Sequence, residues 1–257
     1  MAEGGQLAPW RDDPETSGVL TDFDGTLSAI VDDPEAAVAL QGATETLTRL
    51  AGRYRTVAVI SGRPVAYLMD RLALPPGAGV ALIGLYGLET ATGQAVTTLP
   101  EARPWRDVVA QVADAAEAEA PPGVYVERKG LTVGLHVRRA PQWADWVEAW
   151  AAEQARSRGL VVHAGKMSRE LVPPVETDKG VVVARLARGL EAVCFLGDDL
   201  GDLPAFAALD RLAATGVHTL KVAVRSQECP PALLATADIV VEGPAGALAL
   251  LQDLEAS

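Results

Sequence analysis

The stretch VLTDFDGTLS, residues 19–28, ends a short apolar run in two carboxylates two positions apart, with Gly and Thr directly after. An apolar run of this length, closed by turn-forming residues, reads as a buried strand. Asp22 and Asp24 then stand at its carboxyl end, where their charges repel. A metal site, a reactive carboxylate and an ordinary polar turn each account for such a pair, and the rest of the chain has to choose. An EF-hand does not fit. That loop needs Asp or Asn two residues before Asp22, where Leu20 stands, and Glu at its twelfth position, which falls on Val31.

Working outward, runs of the same kind recur at GVLT (18–21), TVAVIS (56–61), VALIG (80–84), AVCFLG (192–197), LKVAV (220–224) and DIVVE (238–242). Continuous apolar strands fit a sheet buried on both faces, as parallel sheets are. Helical patterns such as ATETLTRLAGR, DKGVVVARLARGL and GDLPAFAALDRL lie between several of them. Strand, helix, strand alternation predicts an α/β fold with a Rossmann-like, doubly wound parallel sheet.

The middle of the chain breaks this pattern. PWRDVVAQVADAAEAEA (104–120) reads as a helix, and VYVERK and LTVGLHVRR alternate about Gly130 like a hairpin. QWADWVEAWAAEQARSR is a second helix, with Trp143, Trp146, Val147 and Trp150 on one stripe that suits packing on a sheet. LVVHAG and SRELVP form another hairpin-like pair. The expected organisation is a core of residues 18–102 and 172–257, interrupted at 103–171 by an α+β domain of αββαββ order. Residues 1–17, rich in Gly, Pro, Asp and Glu, are expected to be a mobile lead-in.

Composition narrows the function. Of 257 residues, 22 are Lys or Arg and 34 are Asp or Glu, so the net charge is 22 − 34 = −12. An acidic surface argues against nucleic acid and anionic membranes as partners, though not against a small anion held by a few local cations. No apolar stretch is long enough for a membrane span. The N-terminus lacks the basic and apolar regions of a signal peptide. Cys194 and Cys229 have no metal-ligand spacing. The expectation is a cytoplasmic monomer.

In open α/β sheets, ligands bind beyond the carboxyl ends of the strands. Asp22 and Asp24 stand there after the first strand, Ser61 after the second, Glu89 soon after the third, and Asp198, Asp199 and Asp202 after AVCFLG; Lys179 stands near a helix start. The five aspartates would converge, and a hard divalent cation resolves the repulsion. All-oxygen donors select Mg²⁺, which is commonly shared between carboxylates and a substrate phosphate. Lys179 and Ser61 suit that phosphate as point charge and hydroxyl donor; Ser61 also suits a strand-end cap. Asp22 is placed as the nucleophile and Asp24 as the acid and base. No Walker A, GxGxxG or nucleophile-elbow pattern occurs.

In that order, DFDGT, SGR, DKG and GDDLGD resemble the four motifs of the haloacid dehalogenase (HAD) superfamily of phosphatases. The insertion resembles its C2B-type cap. Within the superfamily the likeness is to the trehalose-6-phosphate phosphatase family, through GLYGLE (84–89), VERKGLTVGLHVR (126–138) and GKMSRELVPPVETDKG (165–180). The resemblance implies hydrolysis of trehalose 6-phosphate, with Asp22, Asp198, Asp199 and Asp202 at Mg²⁺ and Asp24 meeting it through its backbone carbonyl. It places Gly62 and Arg63 at the phosphate, with loop ordering the other role open to Arg63. Glu127, Lys129 and Glu170 would contact sugar hydroxyls, with His136 and Arg138 as further candidates. Other sugar phosphates of sucrose, glucosylglycerol or mannosylglycerate type remain alternatives, as does a non-catalytic sugar-phosphate-binding regulator. Gly201 and Leu203 depart from the family's usual Thr and Glu in the fourth motif.

Overall fold

The structure, a computed structural model, describes residues 5–31, 37–165, 167–227 and 229–255. Contacts divide the chain into two compact units, Met1–Thr97 with Thr177–Ser257, and Thr98–Glu176.

The first unit is built on an eight-stranded sheet. Its strands are β1 (Ser17–Thr21), β2 (Thr56–Ile60), β3 (Ala81–Gly84), β4 (Glu89–Thr92), β5 (Ala95–Thr98), β10 (Ala192–Gly197), β11 (His218–Arg225) and β12 (Ile239–Glu242). The numbers missing from this series belong to the second unit. The order is β12-β11-β10-β1-β2-β3-β4-β5. Every pairing from β12 to β3 is parallel, and β4 runs antiparallel to β3. Helices cover both faces: α2 (Ala43–Ala51), α3 (Val65–Leu72) and α9 (Gly243–Glu255) on one, α6 (Lys179–Leu186) and α7 (Leu203–Ala213) on the other. The alternation of strand side chains explains the two cores. Val19 and Cys194 pack with α2, α3 and α9, while Leu20 and Phe195 pack with α6 and α7. This is the doubly wound sheet that the apolar runs predict. The pair β4 and β5 is an addition that those runs do not reveal, because its residues are largely polar or exposed.

The N-terminal segment corrects one expectation. Residues 5–17 are not a loose lead-in; residues 1–4 lie outside the described residues. A short helix, α1 (Ala8–Asp12), buries Leu7 and Trp10 in the first core. The indole Nε1 of Trp10 donates to the Gly18 carbonyl at 3.0 Å. Two large apolar side chains outweigh the loop-like composition around them, and the indole's one polar atom is satisfied on burial. Trp10→Phe removes that bond and part of the ring. It should lower stability by about 1–2 kcal/mol in urea unfolding, whereas a mobile segment would show no change.

The second unit contains α4 (Arg106–Glu119), β6 (Tyr125–Arg128), β7 (Val133–His136), α5 (Ala144–Arg158), β8 (Val161–Gly165) and β9 (Ser168–Val172). Its sheet has the order β6-β7-β9-β8, with each pairing antiparallel. Both helices lie on one face, where Val112, Ala116, Val147 and Trp150 meet Val133, Leu135 and Leu171. Trp146 stacks on Trp150, whose Nε1 donates to Glu119 at 2.7 Å, so the tryptophan stripe serves packing. No helix among the described residues is long and apolar enough to cross a membrane. Short α8 (Pro231–Thr236) completes the helices of the first unit.

Candidate active site

β1 lies between β10 and β2, and its carboxyl end opens into the DFDGT turn. The Asp22 amide donates to the Leu196 carbonyl at 2.8 Å, so the first carboxylate is tied to β10. The chain then turns sharply. The buried Phe23 offers one carbonyl to the amides of Thr26, Leu27 and Ser28 at 3.3, 2.8 and 3.0 Å. Gly25 carries the turn at φ +76°, and a Cβ there would lie 2.0 Å from Asp198 Oδ2. Glycine is needed twice, for the left-handed backbone and for the carboxylate pressed against it.

Lys179 is the hub. Its Nζ donates to Asp22 Oδ1 at 2.7 Å and to Asp202 Oδ1 at 2.6 Å, and the residue is 3% exposed. The DKG sequence explains the placement. Asp178 caps α6 by accepting from the Val181 amide at 2.7 Å. Gly180 lets α6 approach α7, since a Cβ there would lie 2.3 Å from the Pro204 carbonyl oxygen.

The fourth motif folds around Asp202. Its Oδ2 accepts from the amides of Asp198 at 2.8 Å and Asp199 at 3.1 Å, while Oδ1 accepts from Lys179. Asp199 Oδ1 accepts from the Gly201 amide at 2.8 Å, completing a reciprocal cap. The fully buried Asp202 thus shapes the loop that presents Asp198. Asp199 is exposed and held by its own turn. One carboxylate oxygen from each of Asp22, Asp198 and Asp202 lies within 4.8 Å of the others.

The electrostatics follow from three buried acids sharing one ammonium. Burial raises the Asp22 carboxyl well above the usual range; Lys179 opposes this, and Asp202 and Asp199 add to it. Burial also pushes Asp198 up to about 10, with Asp22, Asp202 and Asp199 adding to the effect. For Lys179 burial works downward, but Asp202 and Asp22 prevail and hold it well above the ordinary lysine value. A hard cation with oxygen preference is the group that such a donor set suits.

Asp24 is drawn elsewhere. Arg63 grips its carboxylate with Nε at 2.9 Å and Nη2 at 3.0 Å, and lies 4.6 Å over the Tyr67 ring. Its side chain is therefore oriented by the Arg63 guanidinium. Ser61 is 1% exposed, and its Oγ accepts from the Arg63 amide at 3.1 Å, which leaves the hydroxyl proton to donate. Gly62 lies beneath Tyr86, whose hydroxyl would be 2.5 Å from a Cβ added there. Glu89 accepts from the Val65 amide at 3.0 Å at the start of α3.

Within the second unit, Lys129 Nζ stands 3.4 Å from Glu127 Oε2 and 3.2 Å from Glu170 Oε1. His136 Nε2 meets Glu127 Oε2 at 2.8 Å, and Thr132 Oγ1 donates to Glu170 Oε1 at 2.6 Å. Arg128 turns to the helix side and pairs with Asp114 and Glu117. Thr132 and Asp178 join these residues without an expectation from the sequence. Asp178 had a local signal, an N-cap residue before a helix.

A doubly wound sheet carrying an aspartate pair after its first strand, a helix-borne lysine and a second acidic loop is the architecture of the HAD superfamily, to which this chain belongs. Residues 20–232 match the trehalose-phosphatase family. The chain is 40% identical over 215 residues to a trehalose-phosphate phosphatase of Mycobacterium avium, covering 79% of this chain and 54% of that one. The fold superposes on the C-terminal domain of Candida albicans trehalose-6-phosphate phosphatase with a TM-score of 0.78 at 23% identity, covering 100% of this chain and 97% of that one. The Aspergillus fumigatus trehalose-6-phosphate phosphatase gives a TM-score of 0.67 at 26% identity, covering 99% and 97%. The chain is a member of the trehalose-phosphatase family. It spans about half the length of the curated relatives it matches.

Proposed function

We propose that this protein is a Mg²⁺-dependent phosphatase that hydrolyses trehalose 6-phosphate to trehalose and inorganic phosphate. The observation that carries the reading is the Lys179 bridge between Asp22 and Asp202, beside Asp198, at the carboxyl end of β1 and β10. The family match and the names of the mycobacterial relatives support a trehalose phosphate as the substrate.

In this reading Asp22 attacks phosphorus through a carboxylate oxygen and the P–O bond to the sugar breaks, leaving an aspartyl-phosphate. Asp24 gives its proton to the departing sugar oxygen. It then takes a proton from water, whose oxygen attacks phosphorus and frees Asp22 and phosphate. Lys179 balances charge on Asp22 and on the transferring group. Ser61, Gly62 and Arg63 border the phosphate; the Arg63 fork also orients Asp24. Asp22, Asp198 and the Asp24 carbonyl would hold Mg²⁺, with Asp199 and Asp202 shaping the loop behind. Bound there, the ion supplies positive charge to phosphate oxygens. Glu127, Lys129 and Glu170 select the sugar through its hydroxyls. The two free cysteines accord with a reducing compartment such as the cytoplasm.

Phosphate release from trehalose 6-phosphate, sucrose 6-phosphate, glucosylglycerol phosphate and glucose 6-phosphate tests this. The kcat/KM for trehalose 6-phosphate should exceed that for glucose 6-phosphate by at least about tenfold. Chelation should abolish turnover and Mg²⁺ restore it. Equal rates on both sugars would move the substrate elsewhere in the class, and no release from any would favour a regulator.

A further inference from the structure

Across the second unit's sheet, Glu127 pairs with Gly134 and Gly134 with Glu170, so two carboxylate-bearing positions flank one without a side chain. β7 does not need glycine for its backbone, since Gly134 has no left-handed φ. What glycine provides is room for the His136 ring, which reaches across it to Glu127. A Cβ there would lie 2.9 Å from His136 Nε2 and 3.5 Å from Glu127 Oε2. A glycine inside a central strand marks a place where another group comes close to the backbone.

The two glutamates are 7% and 8% exposed and share the Lys129 ammonium. An ammonium is a point charge on a flexible stem, so by itself it fixes the direction of neither carboxylate. Each glutamate has a second anchor. For Glu127 it is His136. For Glu170 it is the hydroxyl of Thr132, 1% exposed, which donates to Oε1 at 2.6 Å. Thr132 is a firm anchor. Its β-branched side chain has few rotamers, and its carbonyl accepts from the Lys129 amide at 3.0 Å.

We propose that Thr132 is a positioning residue for sugar selection. With Oε1 of Glu170 engaged by Thr132 and Lys129, Oε2 is the oxygen left, among the described residues, to accept from a substrate hydroxyl. This rests on the reading of the protein as a sugar-phosphate phosphatase.

Thr132→Val keeps the shape and removes the hydroxyl; Thr132→Ser restores it. Both full-length variants are assayed with trehalose 6-phosphate and with p-nitrophenyl phosphate, which has no sugar to select. For Thr132→Val, KM for trehalose 6-phosphate should rise by about tenfold, the loss of one hydrogen bond to a charged group. Activity on p-nitrophenyl phosphate should stay at wild-type level, and Thr132→Ser should recover most of the sugar-phosphate KM. An unchanged KM in Thr132→Val, or equal losses on both substrates without rescue by serine, overturns the proposal. A wild-type enzyme with no preference for trehalose 6-phosphate over glucose 6-phosphate would instead remove the functional reading beneath it.

Discussion

A chain carrying Asp22→Asn should release phosphate from trehalose 6-phosphate at less than about one-thousandth of the wild-type rate. The substitution keeps volume and shape. The Asn oxygen can still accept from Lys179, whose Nζ lies 2.7 Å from Oδ1 in the native chain. What is lost is the charged oxygen that attacks phosphorus. Misfolding is not expected to confuse the result. Asp22 is one of three acids within 4.8 Å, and burial together with Asp202 and Asp199 already holds its carboxyl in a raised range. Removing one charge from that group relieves repulsion, so the melting temperature should hold or rise. The check is paired: steady-state phosphate release and thermal unfolding on the same preparations. Turnover near the wild-type rate would show that Asp22 is not the nucleophile.

The parallel core was legible because burial on both faces leaves a plain trace: AVCFLG became β10 with all six residues buried. The pair β4 and β5 left none, because ETAT and AVTT are short and half polar. α1 was misread for a related reason. Five residues give no periodicity, and only Leu7 and Trp10 carry its packing. Spacing could gather the aspartates at the strand ends, but it could not distribute their oxygens. The Arg63 fork on Asp24 spans 39 residues, and the Thr132 bond to Glu170 spans 38. Such pairings depend on sheet register, which no local pattern of residue types reveals. Asp202 shows the same limit. Its letter suggests a ligand, and one of its oxygens does lie within 4.8 Å of those of Asp22 and Asp198, but no spacing shows that both oxygens are also held by two amides and a lysine.

Replacing Lys179 with Met should damage stability and activity together. Lys179 is 3% exposed and contacts Asp22 and Asp202. Removing one member of a buried ion cluster leaves uncompensated charge and costs about 3–5 kcal/mol. The direction with pH follows from the acids. A carboxyl whose folded pKa is raised contributes stability below its unfolded value, about 4, and loses it as pH rises through the folded value. Asp198 already sits at about 10, and Lys179 is among the groups that lower it. Without the lysine Asp198 rises further, but it is protonated below pH 8 in either chain, so wild type and variant should lose stability in parallel from pH 5 to pH 8 and the deficit of the variant should stay nearly constant across that window. Urea unfolding in chelator at both pH values measures it. Activity should fall by about a hundredfold or more, since the charge beside the transferring phosphate is gone. Lys179→Arg should not rescue it, because a planar guanidinium cannot occupy an enclosed site shaped for a point charge between two carboxylates. A Met variant as stable as the wild type at both pH values would mean that the buried acids do not depend on Lys179 for their counter-charge.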